Sequence, residues 1–168
     1  IYTLSLHDAL PISIYNAFNG CTNLTSIVLP EDLKSIGNYA FNDCHKLASM
    51  SIPSGVTSIG NYAFGWCEGL TTMQLPDGLL LIGDYAFYKC LYLTEINIPN
   101  TVTTIGSSAF LNCNRLTGSL VIPNSVTTLG GGAFSGCSSL NGTLTLSESR
   151  HWYSFIHCGE WELDCQLS

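Results

Sequence analysis

Apolar and polar positions along this chain recur as one pattern of about 23 residues, written most cleanly from Leu93 to Arg115 as LTEINIPNTVTTIGSSAFLNCNR. Its first beat, Leu93 to Ile98, alternates. Ile96 and Ile98 fall on one face while Glu95 and Asn97 fall on the other, the period-2 pattern of a half-buried strand. Pro99 closes the beat, because proline has no N–H to give to a ladder. Val102 to Gly106 is a second short extended piece, ended by a glycine suited to a turn. The residues from Ser107 to Cys113 are too few for a long helix and fit one turn of α or 3₁₀.

The same pattern is written six times. Aligned on Ala-Phe, it falls at Ala17-Phe18, Ala40-Phe41, Ala63-Phe64, Ala86-Phe87, Ala109-Phe110 and Ala133-Phe134, in steps of 23, 23, 23, 23 and 24. Leu24, Leu47, Leu70, Leu93, Leu116 and Leu140 keep those steps, as do Cys21, Cys44, Cys67, Cys90, Cys113 and Cys137. Three positions in phase across every copy exclude an accident of composition and predict a solenoid whose units pack on their neighbours. The expected fold is a β-rich repeat solenoid over 14–147. It has a parallel sheet on one side, with short extended segments and single helical or 3₁₀ turns on the other. The one extra residue lies in LTGSLVIP, Leu116 to Pro123, and LNGTLTLS, Leu140 to Ser147, repeats it. Each holds a glycine, so a bulge or wider turn is expected before the strand.

The spacing LxxIxIPxxVTxIGxxAFxxC resembles the BspA-type leucine-rich repeat, a bacterial and protozoan variety, over Ile14 to Ser147. The resemblance implies an α/β leucine-rich-repeat architecture. It also implies a cell-surface or secreted protein, since several members are adhesins that bind host matrix proteins or other cells.

Both ends break the pattern. Ile1 to Ser13, IYTLSLHDALPIS, reads as the in-frame translation of a common short-read sequencing adapter, the other reading being an ordinary N-terminal cap. On the adapter reading His7 and Asp8 carry no function, and the native start with any export signal is missing. Residues 148–168 begin as a seventh unit would and then lose register at Arg150. A C-terminal cap, a frameshifted read end and the start of another domain all remain open there. Cys158 and Cys165 are out of phase and form the one pair worth testing as a disulfide.

The 168 residues are 46% hydrophobic and only 10% charged, which excludes a disordered chain. A net charge of −7, with no two basic residues adjoining, excludes a nucleic-acid surface. The longest apolar runs, such as Leu79 to Ile82, fall far short of the roughly 20 residues of a membrane span. Eight cysteines would ordinarily suggest disulfides or a metal. Six of them share one repeat position, however, so they are expected as a structural column of buried free thiols. A column on a rising axis does not converge as tetrahedral zinc requires, although neighbour disulfides stay possible. His45 occupies a variable position and is expected in an exposed loop. No nucleophile partners it, and Gly130-Gly131-Gly132 belongs to the repeat's turn rather than to a phosphate cradle. No catalytic residue, cofactor or metal is assigned.

The outward positions of the first beat form two columns: Ser26, Ser49, Thr72, Glu95, Ser119 and Thr143, then Val28, Ser51, Gln74, Asn97, Val121 and Thr145. They are read either as a solvated sheet face or as a broad, shallow protein- or glycan-binding face centred on Gln74, Glu95 and Asn97. Tyr39, Tyr62 and Tyr85, with Trp66, Tyr88 and Tyr92, are expected on the turn side, as packing residues or as an aromatic patch. Thr57, Thr103 and Thr127 raise a crystal-binding face, but Lys34 and Leu80 interrupt that column. Asn23-Leu24-Thr25 and Asn141-Gly142-Thr143 fit the glycosylation sequon. The expected function is a non-enzymatic interaction module from a larger surface or secreted protein, with a host matrix or cell-surface protein or a glycan as partner. The alternative is a spacer that holds other domains away from the cell.

Overall fold

The structure, a computed structural model, describes residues 13–145. The expectations for Ile1 to Ile12 and for 148–168, including Cys158 and Cys165, lie outside the described residues.

Six two-residue strands build one open parallel sheet: β1 (Ser13–Ile14), β2 (Ser35–Ile36), β3 (Ser58–Ile59), β4 (Leu81–Ile82), β5 (Thr104–Ile105) and β7 (Thr128–Leu129). Register is one unit per strand, with Ile36 opposite Ile59, Ile59 opposite Ile82 and Ile82 opposite Ile105. Every second strand residue is buried, so the sheet covers the core with one face and meets solvent with the other. Ser13 pairs with Ser35 and so belongs to this sheet. The fold class is the one the period predicts, with a difference in which beat carries the sheet. The continuous ladder runs on the second beat, VTxIG. The first beat pairs in shorter pieces, among them the isolated bridges Ser51 with Gln74 and Thr72 with Glu95 and a two-stranded sheet of β6 (Leu120–Val121) and β8 (Leu144–Thr145). Pro53, Pro76, Pro99 and Pro123 each follow this beat directly and lack the donor that would lengthen its pairing.

The proline carbonyls instead accept from Val56, Leu79 and Val102, turning the chain between the two beats. The Ala-Phe segment forms a third hydrogen-bonded strip. In unit four, Ala86, Tyr88 and Cys90 donate back within the turn to Gly83, Tyr85 and Phe87, at 3.4, 3.0 and 3.2 Å. The residues between them, Tyr85, Phe87 and Lys89, donate onward to Ser107, Ala109 and Leu111 of the next unit, at 2.9, 2.7 and 2.9 Å. Half of the donors therefore join units rather than close a helix. Left-handed backbone at Tyr85 and Lys89, both at φ 55°, keeps the single 3₁₀-type turns from growing. From the second unit on, the glycine that opens each turn is required by close approach. A Cβ on Gly106 would stand 2.5 Å from Asp84 N and from Gly83 C.

Beneath the three strips the repeat positions become buried columns. Phe18, Phe41, Phe64, Phe87, Phe110 and Phe134 stack face to face at 5.0–5.3 Å, close to the spacing of neighbouring strands. Columns of Ala, Leu, Ile and Cys line the same interior, and no polar or charged residue is buried among the described residues. The extra residue expected in Leu116 to Pro123 is absorbed at Gly118, which takes φ 80°. The Gly118 N–H donates to Asn141 Oδ1 and its carbonyl accepts from Gly142, which ties the wider turn to the next unit.

Candidate functional site

On the first-beat strip the alternation places its residues as the chemistry requires. Ile27, Ile52, Met73, Leu75 and Ile98 turn into the core. Ser26, Val28, Ser49, Ser51, Thr72, Gln74, Glu95, Asn97, Ser119, Val121, Thr143 and Thr145 are all exposed. The two bridges set Ser51 beside Gln74 and Thr72 beside Glu95, which brings the expected centre together on adjoining units. This surface is polar and carries one charge, Glu95, with apolar Val28 (60% exposed) and Val121 (55%) toward its ends. Hydroxyls just before it are committed to the scaffold. Thr71, Thr94 and Thr117 donate through Oγ1 to the carbonyls of Ala48, Thr71 and Thr94 at 3.1–3.2 Å. On the second beat Thr57, Thr103 and Thr127 likewise donate through Oγ1 to Lys34 O, Leu80 O and Thr103 O. Those bonds remove the free hydroxyl array that a crystal-binding face needs.

The third strip carries the aromatic residues. Tyr39 stacks on Tyr62 at 5.2 Å and Tyr62 on Tyr85 at 4.7 Å, with rings within 6° of parallel. Tyr88 meets Tyr62 and Tyr85 edge-on, and Trp66 meets Tyr88 the same way at 5.5 Å. Burial, with Tyr85 next in importance, pushes the Tyr62 phenol up. Packing and surface are both served, since Tyr39 is exposed while Tyr62 and Tyr85 are half-buried. Two cations complete the strip: Lys89 Nζ lies 3.7 Å from the Trp66 ring centre and 5.4 Å from that of Tyr88, and the Arg115 guanidinium lies 4.2 Å from that of Tyr92. Neither was singled out from sequence. Trp66 and Tyr92 each stand 23 residues before their cation, so the repeat period already places each cation over that ring.

The cysteine column is buried from Cys44 through Cys137, and all described cysteines are free thiols. Each buried thiol donates to the phenylalanine carbonyl of the preceding unit: Cys67 to Phe41 O at 3.1 Å, Cys90 to Phe64 O and Cys113 to Phe87 O at 3.2 Å. Cys21 departs from the expectation and is exposed, because no described unit precedes it to supply that carbonyl and cover the sulfur. Burial, then the neighbouring Cys21, pushes the Cys44 thiol up to about 12. Burial also raises Cys67, Cys90 and Cys113. For Cys137 the contact with Cys113 acts first and burial second, again upward. Such thiols are inert at neutral pH. His45 lies on the surface between carboxylates of two units, 4.0 Å from Asp43 and 3.7 Å from Glu68. Among the described residues no three His, Cys, Asp or Glu side chains are grouped to hold a metal ion, and no helix is long and apolar enough to cross a membrane.

Comparison with known proteins agrees with this geometry. The family model for the BspA type leucine rich repeat region matches residues 13–147 in six copies. A leucine-rich repeat protein of T. pallidum superposes with a TM-score of 0.74 at 36% identity, over 80% of this chain and 61% of its own. One from Bacteroides ovatus gives 0.74 at 41% identity, over 80% and 35%. A leucine rich cell surface protein from Faecalibacterium prausnitzii gives 0.54 at 28% identity, over 72% and 39%. The matched region thus spans between about a third and three-fifths of these relatives. Comparison with curated protein sequences finds no match.

Proposed function

The chain belongs to the BspA-type leucine-rich repeat family, and from that premise we propose that its array is a non-enzymatic interaction module of a surface or secreted, adhesin-like protein. The observation that carries the reading is the exposed first-beat strip. It is twelve outward side chains in two columns, held by a core that is apolar and free of buried charge among the described residues. Repetition makes this surface long and shallow, the form with which solenoids engage extended partners. Gln74, Glu95 and Asn97 are its most information-rich positions, offering amide donors and acceptors beside a single carboxylate. The described core presents thiols whose burial suppresses the thiolate, and no nucleophile–base pair accompanies them, which supports binding over catalysis. The cell-surface relative supports the location.

A second reading is favoured by the same strip's composition. It lacks the Trp, Tyr and Arg that dominate interface hot spots, as a passive spacer would. A screen of the chain against matrix proteins, host cells and glycans separates the two. The module reading expects reproducible binding that the double variant Glu95→Arg, Asn97→Arg abolishes. Absence of binding across the screen, or binding indifferent to that variant, favours the spacer.

A further inference from the structure

The tyrosine column on the third strip ends partway along the array. Its position is occupied by Tyr39, Tyr62 and Tyr85, then by Ser108 and Gly132, all in left-handed backbone with φ between 54° and 65°. The three rings stack at the repeat's own spacing, and the next two units carry no ring to continue them. The gap spans two units, about 10 Å at strand spacing. Its floor is small: a Cβ on Gly131 would meet nothing within 4 Å, and one on Gly132 would meet only Ser108 Oγ and Ser135 Cβ, at 3.6 and 3.7 Å. The C-terminal side of Tyr85 therefore opens on a notch one or two rings long, floored by serine and glycine.

We propose that this notch is a carbohydrate site in which a neutral pyranose stacks on Tyr85 and takes the place of the missing ring. The C–H face of a pyranose is apolar and weakly positive, so it matches the negative face of a tyrosine ring at the spacing the stack already uses. The rim supplies what a sugar's hydroxyls need. Ser107 and Ser108 bring hydroxyls, and the exposed Asp84 brings a carboxylate whose Oδ1 is already fixed by the Ser107 N–H at 2.7 Å. Such a mixed donor and acceptor rim suits a polyol, whereas a peptide anchor is held in a desolvated apolar pocket. A cationic ligand fits less well, because the nearby cation contact is already made by Lys89 over Trp66 and Tyr88. The site lies on a different strip from Glu95 and Asn97, so it stands or falls separately from the first-beat surface.

The test is Ser108→Tyr, which extends the tyrosine stack by one ring and fills the notch. Tyr39, Tyr62 and Tyr85 already occupy this backbone conformation, so the replacement is compatible with the fold, and a thermal melt checks that it is. The intact chain is applied to a printed array of neutral β-glucan, mannan, galactan and chitin oligosaccharides, and positives are titrated by calorimetry. At least one oligosaccharide is expected to bind. Its affinity should fall at least about tenfold in Ser108→Tyr and in Tyr85→Leu, which keeps bulk but removes the ring. It should persist in the Glu95→Arg, Asn97→Arg variant. Absence of binding by the unaltered chain overturns the proposal, as does affinity indifferent to both substitutions. A protein ligand displaced by Ser108→Tyr, with no sugar bound, overturns it as well and assigns the notch to a peptide. If Ser108→Tyr melts early, the Tyr85→Leu comparison decides alone.

Discussion

Replacing Phe87 by alanine should be among the most costly single substitutions in this array. Phe87 is fully buried, stacked 5.2 Å from Phe64 on one side and 5.0 Å from Phe110 on the other. Phe→Ala in a core costs about 3–5 kcal/mol, the upper end applying where the surroundings cannot collapse into the void. Here they cannot. The backbones above and below are held apart by Phe64 N–H to Ala86 O and Phe87 N–H to Ala109 O, both 2.7 Å, and those bonds survive the substitution. A loss of about 4–5 kcal/mol follows. Phe18 provides the internal control, since it is half-buried and, among the described residues, stacks on Phe41 alone, so Phe18→Ala should cost only about 1–2 kcal/mol. Urea unfolding followed by far-UV circular dichroism measures both. Because units support only their neighbours, the Phe87 variant should also unfold over a broader range as the two flanks uncouple. A cost below about 1 kcal/mol, or equal costs for the two variants, would refute the stacked column as the main tie between units.

Gly106→Ala forces a Cβ to 2.5 Å from backbone of the preceding unit and should cost about 1–3 kcal/mol, whereas Gly131→Ala meets open space and should be neutral or stabilising by about 0.4–1 kcal/mol. Thermal melts of the pair check this, and similar losses in both would contradict the close stacking. Alkylation mapped by mass spectrometry should label Cys21 rapidly in the native chain, and Cys44 through Cys137 only after unfolding; native labelling of Cys90 would contradict its burial. The buried thiols also make stability depend on alkaline pH. Burial holds their folded pKa values above the ordinary thiol value of 9.0, so their contribution is whole below that pH. It is lost as pH rises, toward about 12 in the case of Cys44. A pH series of urea midpoints should therefore fall above pH 9, and Cys90→Ala should lessen the fall. An unchanged slope in that variant contradicts the assignment.

The repeat was legible because its information lies in the period: Phe64, Phe87 and Phe110 had to stack once their spacing was constant. The same logic exposed Glu95 and Asn97 while turning Ile98 inward, since alternation leaves an extended segment no other choice. Strand pairing was less legible. Periodicity marks both beats as extended and does not tell which of them carries the continuous ladder, although Pro99 and its equivalents bound the first beat; the ladder runs on Thr104–Ile105 and its counterparts. The left-handed backbone at Tyr85 and Lys89 was hidden too, because tyrosine and lysine carry none of the signal that glycine does. Gly20 in the first unit and Gly132 and Gly136 in the last, at the same repeat positions, betray it. Cys21 shows the limit of a column argument: it keeps the spacing of the buried thiols, yet among the described residues no preceding phenylalanine carbonyl meets its sulfur, which is exposed.

Amide hydrogen exchange of the chain with and without a partner captured in the binding screen tests the central claim most directly, because it locates the contact instead of merely detecting it. The account predicts added protection at Thr72 to Gln74, Thr94 to Asn97 and Ser119 to Val121, the outward strip of three adjoining units. Protection confined to the strands of the six-stranded sheet, from Ser13–Ile14 to Thr128–Leu129, with the first-beat strip unchanged, would contradict it.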